Sequence, residues 1–220
     1  MPAGQQTTAE VECFYCCSCP WTYLAFVRLQ ETAMRTGSRI VWRPVLVDWV
    51  HSVANRGFPG NRTDPNPRKA AYQAKDLQDW ARFAGVEIRQ PAVWPIAPQY
   101  AQCAAIAADA RGVLVPFAMA LFRGYFSESR NIAEPLVVRA IAKEVGLRDA
   151  AFSREIEAAD TLARLRRNCE ELVERGGFGS PTMFIGTDMY FGNDRLPLVE
   201  LALTMASDRR LIVPGAHSQQ

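Results

Sequence analysis

Histidine is nearly missing from this chain: His51 and His217 are the only two in 220 residues. A zinc centre built on imidazole is therefore poorly supplied, although Cys16 and Cys19 have the C-x-x-C spacing of a half-site. The expectation is no metal. A dominant charge is missing too, with 25 Lys and Arg against 23 Asp and Glu. A balance of +2 with no basic run gives no electrostatic footprint for nucleic acid or an anionic membrane. No apolar run approaches a membrane span, and the N-terminus has neither a charged and apolar leader pattern nor a lipidation box. We expect a cytoplasmic protein without nucleic-acid or membrane partners. Internal repeats and low-complexity tracts are also missing.

What is present suits one compact unit with an inserted subdomain: 49% hydrophobic and 22% charged residues, with polar or small residues at 1–9 and 214–220 that read as tails. Six cysteines are enough for three disulfides, but a core of this size needs no staples, so reduced thiols are expected.

Four of those cysteines crowd into Cys13-Phe14-Tyr15-Cys16-Cys17-Ser18-Cys19, which runs into Pro20-Trp21 and an apolar helical pattern. Proline suits the first helical position, where its missing N–H costs nothing. A cysteine just before it meets unpaired backbone N–H groups and the positive end of the helix dipole. It ionises there more readily than a free thiol of pKa about 8.5. Cys19 is the candidate nucleophile. Cys13 and Cys17 read as small buried hydrophobes.

Residues 10–15 read as a strand, 20–35 as an amphipathic helix, and 39–44 as a second strand that Pro44 ends or pushes to an edge. That order begins a βαβ unit with parallel strands. Residues 55–67 are dense in turn formers and read as a loop. From Lys69 to about Arg175 the pattern is helical, over 101–110, 117–126, 135–145 and 152–174, with breaks at 91–98, 111–112 and 146. Strands return at 181–185 and 189–191 around a turn at 186–188, and a last helix follows from 196 to about 205. The fold class is α/β: a thioredoxin-like domain over 10–68 and 176–210, with an inserted all-helical subdomain over 69–175.

Two stretches carry a family resemblance: Gly177-Phe178-Gly179-Ser180-Pro181-Thr182-Met183-Phe184-Ile185, and Tyr190-Phe191-Gly192-Asn193-Asp194-Arg195-Leu196. They look like the cis-proline strand and the Gly-Asn-Asp-Arg turn of the kappa-class glutathione transferase and 2-hydroxychromene-2-carboxylate isomerase family, a thioredoxin-like branch related to the disulfide oxidoreductase DsbA. The resemblance runs from about Val11 to Leu203. In relatives a serine-proline pair opens the first helix and its hydroxyl bonds the glutathione sulfur; here the pair is Cys19-Pro20. Isomerase relatives usually have aspartate three residues earlier, where this chain has Cys16.

The resemblance implies glutathione as cofactor, bound by Asn61, Lys69, Ser180, Pro181, Asn193 and Asp194. Ser180-Pro181 would pair its backbone with the extended peptide, with Ser180 adding a hydroxyl contact. Asp194 would hold the γ-glutamyl ammonium and Lys69 the glycyl carboxylate. The plainer alternatives are that Asn193 and Asp194 cap the last helix and that Lys69 is a solvated helix residue. Trp49, Trp94, Tyr100 and Tyr125 are candidates for a hydrophobic pocket for an aromatic second substrate. Arg43 either pairs within the core or faces an acidic substrate, and His51 reads as a surface residue rather than a proton shuttle. The expected activity is a glutathione-dependent isomerase acting through a transient adduct on an unsaturated or aromatic acid, with a homodimer as the implied assembly. A kappa-type transferase and a DsbA-like oxidoreductase using Cys19 and Cys16 remain alternatives. The oxidoreductase reading has Thr22 where DsbA-like enzymes place the resolving cysteine.

Overall fold

The computed structural model describes residues 8–57 and 66–207. Its strands form one mixed sheet in the order β2-β1-β3-β4. β1 (Glu10–Tyr15) and β2 (Arg39–Pro44) are parallel, with Glu10 opposite Arg39 and Tyr15 opposite Pro44. A parallel pair needs a crossover, which α1 (Pro20–Thr36) supplies. Gly37 ends that helix at φ 64°, a left-handed conformation suited to glycine, and its N–H bonds Ala33 O. β3 (Thr182–Ile185) is antiparallel to β1, Cys13 facing Met183, and β4 (Asp188–Phe191) pairs antiparallel with β3. The two β-regions stand where the sequence places them because turn residues and alternating burial bound both.

Between β2 and β3 lie α2 (Val47–Ala54), α3 (Pro67–Phe83), α4 (Gln99–Ala110), α5 (Leu114–Phe126), α6 (Pro135–Glu144), α7 (Ala150–Glu157) and α8 (Ala159–Glu174). A 3-10 turn at Asn193–Arg195 leads into α9 (Leu196–Ser207). Two differences from the sequence reading matter. α2 occupies what reads as a connection after Pro44. The single helix expected over 152–174 is two, because the chain turns extended at Ala158 (φ −64°, ψ 139°). Neither glycine nor proline marks that corner. It is held by Thr161 Oγ1 donating to Glu155 O at 2.6 Å, and by burial of Phe152 and Ile156 on one helix and Leu165, Cys169 and Leu172 on the other.

Alternation along β1 divides the core. Val11, Cys13 and Tyr15 join Trp42, Met183 and Ile185 beneath Phe26 and Leu29 of α1, Phe122 of α5, and Val199 and Leu203 of α9. Phe14 and Phe184 face the opposite way, against Val50 of α2 and Cys169 and Leu172 of α8. Each fully buried Phe there contributes about 2 kcal/mol of apolar burial. Glu12 shares this second face and accepts from Arg43 Nη2 and Arg175 Nη1, both at 2.7 Å. Burial pushes the Glu12 carboxyl up, but the bonds from Arg175 and Arg43 outweigh it and hold the group below its ordinary range. Arg43 is thus committed to an internal ion pair, and the expectation that it faces a substrate is corrected.

Candidate active site

The thiol cluster divides as strand geometry dictates. Cys13 lies on the pleat face that enters the main core, and Cys16 and Cys17 turn inward where the strand gives way to the helix. Cys19 is half-buried, whereas Cys13, Cys16, Cys17, Cys103 and Cys169 are buried, and none of the six is in a disulfide. Burial pushes the Cys13 and Cys17 thiols far up and those of Cys16 and Cys103 up to about 11.

Cys19 is the N-cap of α1, at φ −104° and ψ 120°, with Pro20 in the first turn. Its carbonyl accepts from Thr22 N and Tyr23 N, both at 3.1 Å, and its N–H donates to Cys16 O at 3.1 Å. The side chain makes no capping bond. Sγ donates instead to the carbonyl of Ser180 at 3.4 Å. That carbonyl belongs to the Ser180-Pro181 peptide, which is cis, as the sequence reading expects of this strand.

Ser180 is itself corrected in role. Its side chain is buried and faces inward: Oγ accepts from Cys16 N at 3.0 Å, lies 2.8 Å from Thr22 Oγ1, and is within 3.4 Å of Phe14 O. The hydroxyl therefore ties β1, the cysteine loop and α1 to the cis-proline strand, leaving the backbone as the part of Ser180 turned to the cleft thiol. Pro181 O accepts from Gly192 N at 3.0 Å, which links the same strand to the turn before α9. Thr22, three residues into the motif, gives its hydroxyl to this network.

Cys16 has a different setting. Its sulfur lies 3.3 Å from Ser18 Oγ, and the nearby backbone of Ser18 and of Val47, the first residue of α2, counters part of the upward push that burial gives its thiol. One residue earlier, Leu46 N donates to Cys169 Sγ at 3.2 Å. Leu46, the α2 N-cap, has no side-chain acceptor of its own, and the Cys169 thiol satisfies its amide.

Other expected residues are placed unevenly. Asn193 is buried, and Arg28 Nη1 donates to its Oδ1 at 2.9 Å and its carbonyl at 3.0 Å, so its amide oxygen is committed inside the protein. Arg28 in turn lies over Trp80 (4.7 Å) and Phe83 (5.0 Å) of α3. Asp194 is exposed and paired with Arg195 at 3.0 Å. Lys69 is exposed in the first turn of α3, its N–H donating to the Asn66 side chain at 3.2 Å. Asn61 lies outside the described residues.

Of the aromatic set, Trp49 (40% exposed) and Trp94 (42%) offer surface for a ligand. Tyr125 is buried, with its hydroxyl donating to Val93 O at 2.9 Å. Tyr100 accepts from Arg139 at 3.0 Å and, two residues from Gln102, projects from the opposite side of α4. His51 is buried rather than on the surface, with Nε2 3.5 Å from where a Cβ on Gly179 would stand.

Gln102 was not anticipated. It is fully buried in α4, where Nε2 donates to Tyr15 O and Val45 O, both at 2.8 Å, and Oε1 accepts from Cys17 N at 3.3 Å. Its signal in the sequence is a single amide within the stretch 101–108 of that helix, which is otherwise alanine, cysteine and isoleucine. Among the described residues, no group of three His, Cys, Asp or Glu is placed to hold a metal, and no helix is long and apolar enough to cross a membrane.

A mixed four-stranded sheet with a cysteine at the first helix entrance and a cis-proline opposite it defines a thioredoxin-like protein, here with helices inserted between its halves. The chain belongs to the family of DSBA-like thioredoxin domains, whose model matches residues 10–204. It is 28% identical over 193 residues to the 2-hydroxychromene-2-carboxylate isomerase of Sphingobium xenophagum, covering 88% of this chain and 97% of that one. A solved 2-hydroxychromene-2-carboxylate isomerase superposes with a TM-score of 0.76 at 23% identity, covering 91% of this chain and 97% of the other. The cytosolic disulfide reductase DsbM of Pseudomonas aeruginosa, solved with GSH, superposes with a TM-score of 0.63 at 18% identity, covering 91% and 99%. These two structures establish likeness of fold, and the expected fold class and resemblance to the isomerase family both hold.

Proposed function

We propose that the chain is an enzyme, a glutathione-dependent isomerase of the 2-hydroxychromene-2-carboxylate isomerase type, acting on a hydrophobic, unsaturated aromatic acid as a cytoplasmic homodimer. The observation that carries this reading is the half-buried Cys19 thiol, 3.4 Å from the carbonyl that precedes cis-Pro181, in a chain alignable along nearly its whole length with such an isomerase. A structural neighbour solved with GSH supports the choice of thiol peptide.

The residues present fit that peptide in part. Exposed Asp194 and Lys69 have the charges to meet its ammonium and a carboxylate, and the Ser180-Pro181 backbone is available beside the thiol, whereas the Asn193 amide oxygen is held by Arg28. When bound, glutathione would supply a thiolate nucleophile for reversible addition to a conjugated double bond. Cys19 stands where its S–H, now given to Ser180 O, is a donor to a neighbouring sulfur. The first-turn amides of α1 favour negative charge at the same place. Trp49 and Trp94 offer exposed aromatic area for the second substrate.

Isothermal titration with reduced glutathione tests the reading: binding is expected, and no heat of binding removes it. Retention of isomerase activity in Cys19→Ser places the residue in a hydrogen-bonding role. A second reading, thiol-disulfide exchange through Cys19 and Cys16, has in its favour the 3.1 Å bond from Cys19 N to Cys16 O, which keeps the two residues adjacent. Against it stand the burial of Cys16 and the hydroxyl at Thr22. Insulin reduction that is lost in both Cys19→Ser and Cys16→Ser would favour it, and a kappa-type transferase would show as conjugation to an electrophile.

A further inference from the structure

We propose that Gln102 is the positioning residue of the active edge, setting the cysteine loop from the side of the inserted helices. The loop has two side-chain clamps. Ser180 Oγ takes Cys16 N at 3.0 Å from the cis-proline strand, and Gln102 Oε1 takes Cys17 N at 3.3 Å from α4. Only the second comes from a helix inserted between the halves of the sheet.

The Gln102 carboxamide has one workable orientation. Both Nε2 protons are spent on carbonyl oxygens, Tyr15 O at the end of β1 and Val45 O just past the end of β2. A flipped amide would set Oε1 against both carbonyls and leave two donors facing the Cys17 N–H. The side chain thus reads the ends of two parallel strands and passes their position to the residue two before Cys19. Glutamate has the same shape, but when ionised it would confront two carbonyls with acceptors alone. Methionine fills the space and makes none of the three bonds. Because Gln102 is fully buried, each missing partner takes a bond from a buried backbone group: Tyr15 O keeps the Val45 N–H, whereas Val45 O and Cys17 N lose their side-chain partner.

Cys17 N sits between the residue whose carbonyl holds Cys19 N and Cys19 itself. Releasing it lets the loop shift relative to the first turn of α1 and to Ser180 O, so the Cys19 sulfur loses its alignment with both. Gln102 acts through that backbone and touches neither substrate nor sulfur. The inference does not depend on which reaction Cys19 serves.

The test is the rate of Cys19 alkylation by iodoacetamide against pH in the full chain, with Cys19→Ser as background. In folded Gln102→Met the neutral-pH rate is expected to fall about tenfold, the effect of one misdirected hydrogen bond, with the midpoint of the profile moving to higher pH. A matched core variant in α6, Val138→Ala, should lower the melting temperature while leaving the profile in place. Gln102→Glu, read above the titration of its carboxyl, where it faces both carbonyls with acceptors alone, gives a second variant of native shape with the same expected shift. A profile unchanged in the folded variants overturns the proposal. Failure of both Gln102 variants to fold also overturns it, assigning Gln102 to the core alone.

Discussion

Sulfur stands at the entrance of two helices in this molecule, with opposite assignments. At α1 the Cys19 thiol is half-buried and gives its proton to the Ser180 carbonyl. At α2 the Cys16 and Cys169 sulfurs are buried, and Cys169 accepts the Leu46 N–H at 3.2 Å. Both entrances offer the same backbone field, so the helix terminus alone does not make a thiol reactive. Access to water does: burial raises the Cys16 thiol to about 11 despite three donors around it, because desolvating a thiolate outweighs them. The proposed chemistry falls to Cys19, while Cys169 holds the backbone at the start of α2.

The comparison breaks most easily by labelling. Near neutral pH, alkylation of the native chain should modify Cys19 at least about 100-fold faster than Cys16, since a thiol titrating near 11 has that much less thiolate than an ordinary one. Peptide mapping reads the ratio, and comparable labelling of both would erase the distinction. Function sharpens it next. Cys19→Ala should reduce the proposed isomerisation about 100-fold and Cys19→Ser less than tenfold, if a donor to sulfur is what the site supplies.

Alkali should then separate the buried thiols from the exposed one. A thiol raised on folding binds its proton more tightly in the native state, so its contribution is whole below the unfolded value near 9 and drains away as pH rises through about 11. Cys16 accounts for on the order of 2 kcal/mol of that loss, and urea melts of Cys16→Ser against the parent chain should show a shallower alkaline decline. Smallest is the neutral-pH cost of Cys16→Ala, about 1 kcal/mol from a small cavity and the lost contact to the Ser18 hydroxyl, with activity largely kept. A loss of activity matching that of Cys19→Ala would return Cys16 to the chemistry.

Legibility in the sequence followed the range of the forces involved. Cys19 was found because proline, thiol and helix start are neighbours along the chain, and cis-Pro181 because its flanking residues form one continuous stretch. Cys13 and Cys17 were read as core residues and are core. α2 was missed because its eight residues gain little from local propensity and are held by Val50 in the core and by sulfur at the first turn. Arg43 and Asn193 were offered to ligands because their partners, Glu12 and Arg28, are distant in sequence, and Gln102 was passed over because its acceptors lie 57 to 87 residues away.

By itself, then, the amino-acid sequence determined the strand and helix order, the proline at the start of α1, and the thiol before it. These are properties of residues within a turn of one another. Which of four adjacent cysteines meets water and which amide holds the loop were decided only when the sheet closed and the inserted helices packed onto it. Burial and hydrogen-bond pairing depend on every element that covers a group.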